Sequence, residues 1–146
     1  LYTPQIVGFA TAVQIAIDDM DAENARISQL RDRLWTSISQ LDGVYLNGHP
    51  TQRLSSNLNI SIEGVDGQAL LVGLQPFVAV SSGSACTAAK AAPSHVLQAI
   101  GRPSDLAYAS IRFGVGRFNT QAEIDAISEH VISTIQALRS VNKLTA

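Results

Sequence analysis

Two short segments alternate apolar and polar residues, and they lie among longer stretches whose apolar residues recur every three or four positions. In the first, Leu58, Ile60 and Ile62 interleave with Asn57, Asn59 and Ser61; in the second, Ile111 and Phe113 interleave with Ser110, Arg112 and Gly114. A period of two describes a strand that buries one face and leaves the other polar. Around them, Ile6, Phe9, Val13, Ala16 and Met20 mark one amphipathic helix, opened by Thr3-Pro4. Ile27, Leu30, Leu34, Ile38 and Leu41 mark a second, stopped by Asp42-Gly43. Val44 to Leu46 reads as short and extended, and Asn47-Gly48-His49-Pro50 as a chain break. Asp66 caps a helix running through Leu74, and Phe77 to Val80 is β-prone. Ser94 caps a short helix that Gly101 closes. Thr120-Gln121-Ala122-Glu123 is a capping box opening a last helix with Ile124, Ile127, Val131, Ile135 and Leu138.

The predicted order is helix, helix, strand, strand, helix, strand, helix, strand, helix. It makes an α+β domain, a small mixed or antiparallel sheet covered by helices. The chain of 146 residues fits one domain, 1–146, without repeat or linker. With 46% hydrophobic and 15% charged residues it is a globular composition, and 5% aromatics leave the core to Ile, Val, Leu and Ala. A net charge of −2 without a basic block argues against nucleic acid as a partner. No apolar run reaches the roughly 18 residues of a membrane span, and no secretory signal is visible. One cysteine allows no intrachain disulfide and no paired-cysteine zinc site, so a reducing, cytoplasmic location is the simplest expectation.

That cysteine is Cys86. A lone cysteine is by default a small buried hydrophobe. Here it stands in Ser81-Ser82-Gly83-Ser84-Ala85-Cys86-Thr87, with no Leu, Ile or Val within five residues, which describes an exposed loop. An exposed thiol is a liability unless it is used, and at neutral pH only a few per cent of it is thiolate. Lys90 and His95 are the nearby cations, and spacing assigns neither to the thiol rather than to solvent. His49, His95 and His130 are scattered, with no metal-ligand spacing.

The run Ala79-Val80-Ser81-Ser82-Gly83-Ser84-Ala85-Cys86-Thr87 resembles the active-site cysteine motif of the cysteine desulfurases, in the branch with a long mobile loop. Pro93 to Leu97 resembles the segment that follows that loop, and Ser110-Ile111-Arg112-Phe113 with Gly116-Arg117-Phe118 resembles a second signature of the family. Leu1 to Gly8, Leu34-Trp35 and Val44 to Gly48 also fit, so the likeness spans nearly the whole chain.

The resemblance implies the C-terminal small domain of a fold-type-I enzyme that uses pyridoxal phosphate and works as a homodimer. It implies that L-cysteine becomes L-alanine, that Cys86 is the nucleophile and carries the persulfide, and that sulfur passes to an iron–sulfur scaffold or a tRNA-thiolation acceptor. It further implies that Arg112 binds the substrate carboxylate, and that Cys86 could transiently ligate an iron–sulfur cluster on a scaffold. Alternation supports the arginine, because Ile111 and Phe113 face one side and Arg112 the other. Arg117 is expected in a structural ion pair. Weak order is expected across Ser84 to Ala92.

The two lysines, Lys90 and Lys143, match no cofactor-lysine segment, so the cofactor-lysine domain is expected to lie outside this chain. The chain opens on Leu1 with Met20 as its only methionine, and an Arg-x-Gly-Thr segment of the family is expected just before it. Alone, it is expected to be inactive. The competing expectations are a stand-alone persulfide relay without cofactor chemistry, and a selenocysteine lyase or aminotransferase-like relative.

Overall fold

A computed structural model describes residues 2–82 and 93–145. Helix α1 (Thr3–Ile38) leads to β1 (Val44–Leu46), β2 (Asn57–Ile62), α2 (Gly67–Leu74), β3 (Ser81–Ser82), α3 (His95–Ala99), α4 (Ser104–Tyr108), β4 (Ser110–Gly114) and α5 (Gln121–Thr145). The strands form one sheet in the order β1-β2-β4-β3, and every pairing in it is antiparallel. The α+β architecture is as expected, with the mixed option resolved in favour of the antiparallel one.

The alternation does what its period requires. Leu58, Ile60, Ile62, Ile111 and Phe113 turn to one face, where they pack with Ile27, Leu30, Leu34 and Ile38 of α1, Leu70 and Leu74 of α2, and Ile124, Val131 and Ile135 of α5. Ile60, Ile62 and Ile135 are wholly buried. Full burial of such side chains stabilises by roughly 1.5–3 kcal/mol each, so this layer carries most of the fold.

The caps also form. Asp66 Oδ1 accepts the Ala69 N–H at 2.8 Å. Thr120 and Glu123 bond reciprocally, the Thr120 N–H to Glu123 Oε2 at 2.8 Å and the Glu123 N–H to Thr120 Oγ1 at 3.3 Å. Gly101 adopts φ +92°, a left-handed conformation that spares it the Cβ penalty of other residues. Gly67 is required for another reason. A Cβ there would stand 2.3 Å from the Tyr108 carbonyl oxygen, so glycine lets the start of α2 meet the end of α4.

Three elements depart from the sequence expectation. The two predicted N-terminal helices are one helix of 36 residues. Nothing between Met20 and Ile27 is a glycine or proline, so the apolar stripe shifts phase while the backbone ladder runs on. The first half of that helix is exposed, with Phe9 at 74% and Ile6, Val7 and Ile17 each above half. Second, β3 is Ser81–Ser82, not the β-prone Phe77 to Val80. Its pairing with Arg112 and Ile111 of β4 defines it, and its own composition does not. Third, α4 is a five-residue helix after Pro103 that the sequence reading left out.

Candidate functional site

The face of the sheet turned away from α1, α2 and α5 is polar. On β2 and β4, Asn59 stands opposite Arg112, Ser61 opposite Ser110, and Asn57 opposite Gly114. On β1, Tyr45 stands opposite Ser61. The next residue after that strand, Asn47, donates its backbone N–H to the Asn59 carbonyl at 2.9 Å. On the far side of β4, Ser81 stands opposite Arg112.

The two ends of this face differ. Toward β1 the segment 93–109 closes it. Arg102 lays its guanidinium 5.3 Å from the Tyr45 ring centroid and donates from Nε to Asn47 Oδ1 and from NH2 to the Leu46 carbonyl, both at 2.6 Å. The Tyr45 hydroxyl donates to Glu63 at 2.9 Å. That bond, then the carboxylate's charge, raises the Tyr45 pKa, so the phenol keeps its proton. Arg53 braces the following turn, donating to the carbonyls of Asn47 at 2.6 Å and His49 at 2.8 Å. Burial lowers the Arg53 pKa, an effect that the neighbouring Arg31 reinforces. Under this cover Asn47, Ser61 and Ser110 are buried.

Toward β3 no described residue pairs with the side chain of Arg112, which is exposed. A Cβ built on Gly114 would meet nothing within 4 Å. Asn57 shares this end, and its Oδ1 is buried without a hydrogen-bond partner among the described residues. An unpaired guanidinium beside amide groups at the open end of a polar sheet is suited to holding a planar anion.

Cys86 and Lys90 lie outside the described residues. β3 ends at Ser82, four positions before Cys86, and β3 is the strand paired with Arg112. Of the other sequence candidates, Arg117 does make ion pairs, with Glu23 at 3.5 Å and Asp19 at 3.8 Å, both in α1. His49 accepts the N–H groups of Gln52 at 2.9 Å and Thr51 at 3.2 Å through Nδ1, which makes it a turn residue. His130 packs on Phe77 with ring centroids 3.6 Å apart. No group of three metal-ligating side chains occurs among the described residues.

A cleft of about 490 Å³ lies elsewhere, on the apolar side, bordered by Leu34, Phe77, Val80, Phe113, Ile124 and Ile127. Its polar groups are already engaged: Glu123 in the cap of α5, and Asn119 Oδ1 in accepting the Gly116 N–H at 2.8 Å. It offers apolar surface but no reactive group.

A family model, Aminotransferase class-V, matches residues 1–127. The chain belongs to the class-V aminotransferase family. Within it, the chain is 48% identical over 144 residues to a protein of Methylobacillus flagellatus named cysteine desulfurase IscS, and 47% identical to one of that name from Pseudomonas putida. Each match covers 99% of this chain and 35% of the relative, so the chain spans about a third of the length of these curated relatives. Among solved structures, a NifS-like protein of Rickettsia africae superposes with a TM-score of 0.77 at 27% identity, over 90% of this chain and 34% of that one. A sugar aminotransferase of Streptococcus pneumoniae reaches 0.64 at 14% identity, over 89% of this chain and 35% of that one, a likeness of fold alone. The class-V fold thus accounts for the sheet and its helical cover. No helix among the described residues is long and apolar enough to cross a membrane.

Class-V enzymes of this kind work with pyridoxal phosphate. The described residues do not form a seat for it: the polar face carries no lysine, and its one aromatic ring, Tyr45, lies against Arg102. The donor set at the open end fits a small planar anion, not the ring or aldehyde of the cofactor.

Proposed function

We propose that residues 1–146 are the small, C-terminal domain of a cysteine desulfurase that releases L-alanine from L-cysteine and keeps the sulfur on Cys86. The observation that carries this reading is Arg112, a cation that no described residue pairs, on the strand paired with the one that leads toward Cys86. Four peptide units span at most about 14 Å, so the chain itself limits how far Cys86 can lie from the end of β3. The 48% identity to a protein named cysteine desulfurase supports the same reading.

In this reading Arg112 grips the substrate carboxylate and fixes the direction of the substrate side chain. The Cys86 thiolate attacks the substrate sulfur. A sulfur–sulfur bond forms, the substrate carbon–sulfur bond breaks, and that carbon takes a proton to become the methyl group of alanine. Enzyme thiol plus cysteine gives enzyme persulfide plus alanine, so no outside oxidant is needed. Pyridoxal phosphate, for which the described residues form no seat, would supply the electron sink for breaking the carbon–sulfur bond. The persulfide then passes to an acceptor thiol on an iron–sulfur scaffold or a tRNA-thiolation carrier, where Cys86 can briefly ligate a cluster. A cytoplasmic homodimer is part of the proposal.

The test uses the full-length protein loaded with pyridoxal phosphate. L-cysteine is added, free thiols and persulfides are alkylated, and the peptide bearing Cys86 is weighed. The reading expects one added sulfur atom on that peptide and loss of alanine formation in Cys86→Ser. Alanine formation at an unchanged rate in Cys86→Ser would contradict it. Sulfur reaching Cys86 only from a second persulfide-bearing protein, never from L-cysteine, would favour a relay module.

A further inference from the structure

The orientation of the amide groups on the polar face can be worked out from one donor. A guanidinium has donors and no acceptor. Arg102 Nε bonds Asn47 at 2.6 Å, so the Asn47 atom it meets must be the oxygen. The other half of the Asn47 amide is then the NH2 group, and it donates to Asn59 at 2.7 Å and to the Ser61 hydroxyl at 2.9 Å. Asn47 is buried, with 4% of its surface exposed, and sits in a closed set of bonds that admits no flip. The Asn59 atom facing Asn47 must therefore be Oδ1.

This fixes what Asn59 shows on its other side. Asn59 lies between Asn47 on the β1 side and Arg112 on the β4 side. With its oxygen committed toward Asn47, the Asn59 Nδ2 group is kept out of that contact, on a residue whose cross-strand neighbour is Arg112. No hydrogen bond from Nδ2 to another described residue is made. Arg112 and the Asn59 NH2 group are both donors, so they cannot satisfy each other. Cross-strand neighbours have Cβ atoms about 4.5–5.5 Å apart, close enough for both to reach one small acceptor.

We propose that the Asn59 Nδ2–H2 group is a second donor to the substrate carboxylate beside Arg112, and that Arg102 acts through Asn47 as a positioning residue that holds this amide donor-outward. The proposal rests on the reading of Arg112 as the carboxylate-binding residue. It adds a three-residue relay from the α3–α4 connection, which follows the cysteine segment in the chain, to the substrate site. Asn59 touches the substrate; Asn47 and Arg102 do not.

The test compares two ligands on the full-length, cofactor-loaded protein: L-cysteine, and cysteamine, which has the same amine and thiol but no carboxylate. Binding is followed by the change in cofactor absorbance, and thermal melting checks the fold. Asn59→Ala should weaken L-cysteine by about tenfold to a hundredfold, the effect of removing one hydrogen bond to a charged group, and cysteamine by less than about twofold. Asn59→Asp keeps the oxygen that Asn47 needs and turns the facing donor into an anion. It should weaken L-cysteine further, and it serves as the second variant if the alanine protein does not fold. Arg112→Ala is run beside them. If Arg112→Ala weakens L-cysteine selectively and neither Asn59 variant does, the role of Asn59 is overturned and Arg112 stands. If Arg112→Ala has no selective effect either, the carboxylate reading itself fails. Equal weakening of both ligands by Asn59→Ala marks a general disturbance of the sheet and also overturns the proposal.

Discussion

The two faces of the sheet are built from the same strands and do different work. Leu58, Ile60 and Ile62 face three helices and are lost to solvent, whereas Asn59 and Ser61, interleaved with them, face a thin polar cover and then open space. The apolar face gains from contact with everything around it. The polar face gains at the β1 end, where Asn47 and Arg102 satisfy each other, and at the other end no described residue pairs with Arg112. An arginine without a described partner contributes little to the folded state, which leaves it available for the carboxylate proposed here as its ligand. Burial and polarity are divided between alternate residues of each strand.

The sharpest way to break this comparison is to exchange the consequences. Ile60→Ala empties a wholly buried position and should cost about 2–5 kcal/mol in urea unfolding. A loss below that range would mean the apolar face is not the main support of the fold. Arg112→Ala should do the reverse. Unfolding should change by no more than about 0.5 kcal/mol, while L-cysteine affinity falls by about a hundredfold, as expected for losing a charged, bidentate contact. Asn47→Ala lies between the faces in kind. It strands Arg102 and frees the Asn59 amide, so it should cost about 1–3 kcal/mol in unfolding and also weaken L-cysteine.

The smallest effect concerns the cap of α5, at the edge of the apolar side. Thr120→Ala should cost about 1 kcal/mol. Its partner Glu123 makes the cap pH-dependent. The Thr120 N–H first, and the Asn119 amide second, hold the Glu123 carboxyl below its ordinary value of 4.5. A carboxyl lowered in the folded state stabilises above its unfolded pKa, and the contribution is lost as pH falls through the folded value. Glu123→Gln should therefore melt lower than the parent at neutral pH, and the gap should close as the pH falls below the ordinary carboxyl value of 4.5 and through the lowered folded one. A gap independent of pH would mean the cap does not depend on the charge.

Much of this division could be read before any coordinates. Alternation alone put Arg112 on the face opposite Ile111 and Phe113, and the caps at Asp66, Ser94 and Thr120 follow from short-range chemistry that a sequence displays. What the sequence hid depends on long-range pairing. Asn47-Gly48 has the composition of a turn, and Gly48 does take φ +80°, but the register that sets Asn47 beside Asn59 belongs to the β1–β2 pairing. Arg102 follows a helix-closing glycine and looks like a solvated cation until the chain folds it onto Tyr45. The single long α1 was hidden for the opposite reason. Its apolar stripe changes direction after Met20, and a period-based reading takes a change of partner for a change of element.

Everything proposed for the polar face depends on Arg112 holding an amino-acid carboxylate. The most direct measurement is the affinity of the full-length, cofactor-loaded Arg112→Ala protein for L-cysteine and for cysteamine, taken with its melting temperature. An unchanged melting temperature is expected, with a loss of about a hundredfold for L-cysteine and almost none for cysteamine. Unchanged affinity for L-cysteine, or a fall in melting temperature with both ligands weakened alike, would place Arg112 among the supports of the fold and not at the substrate.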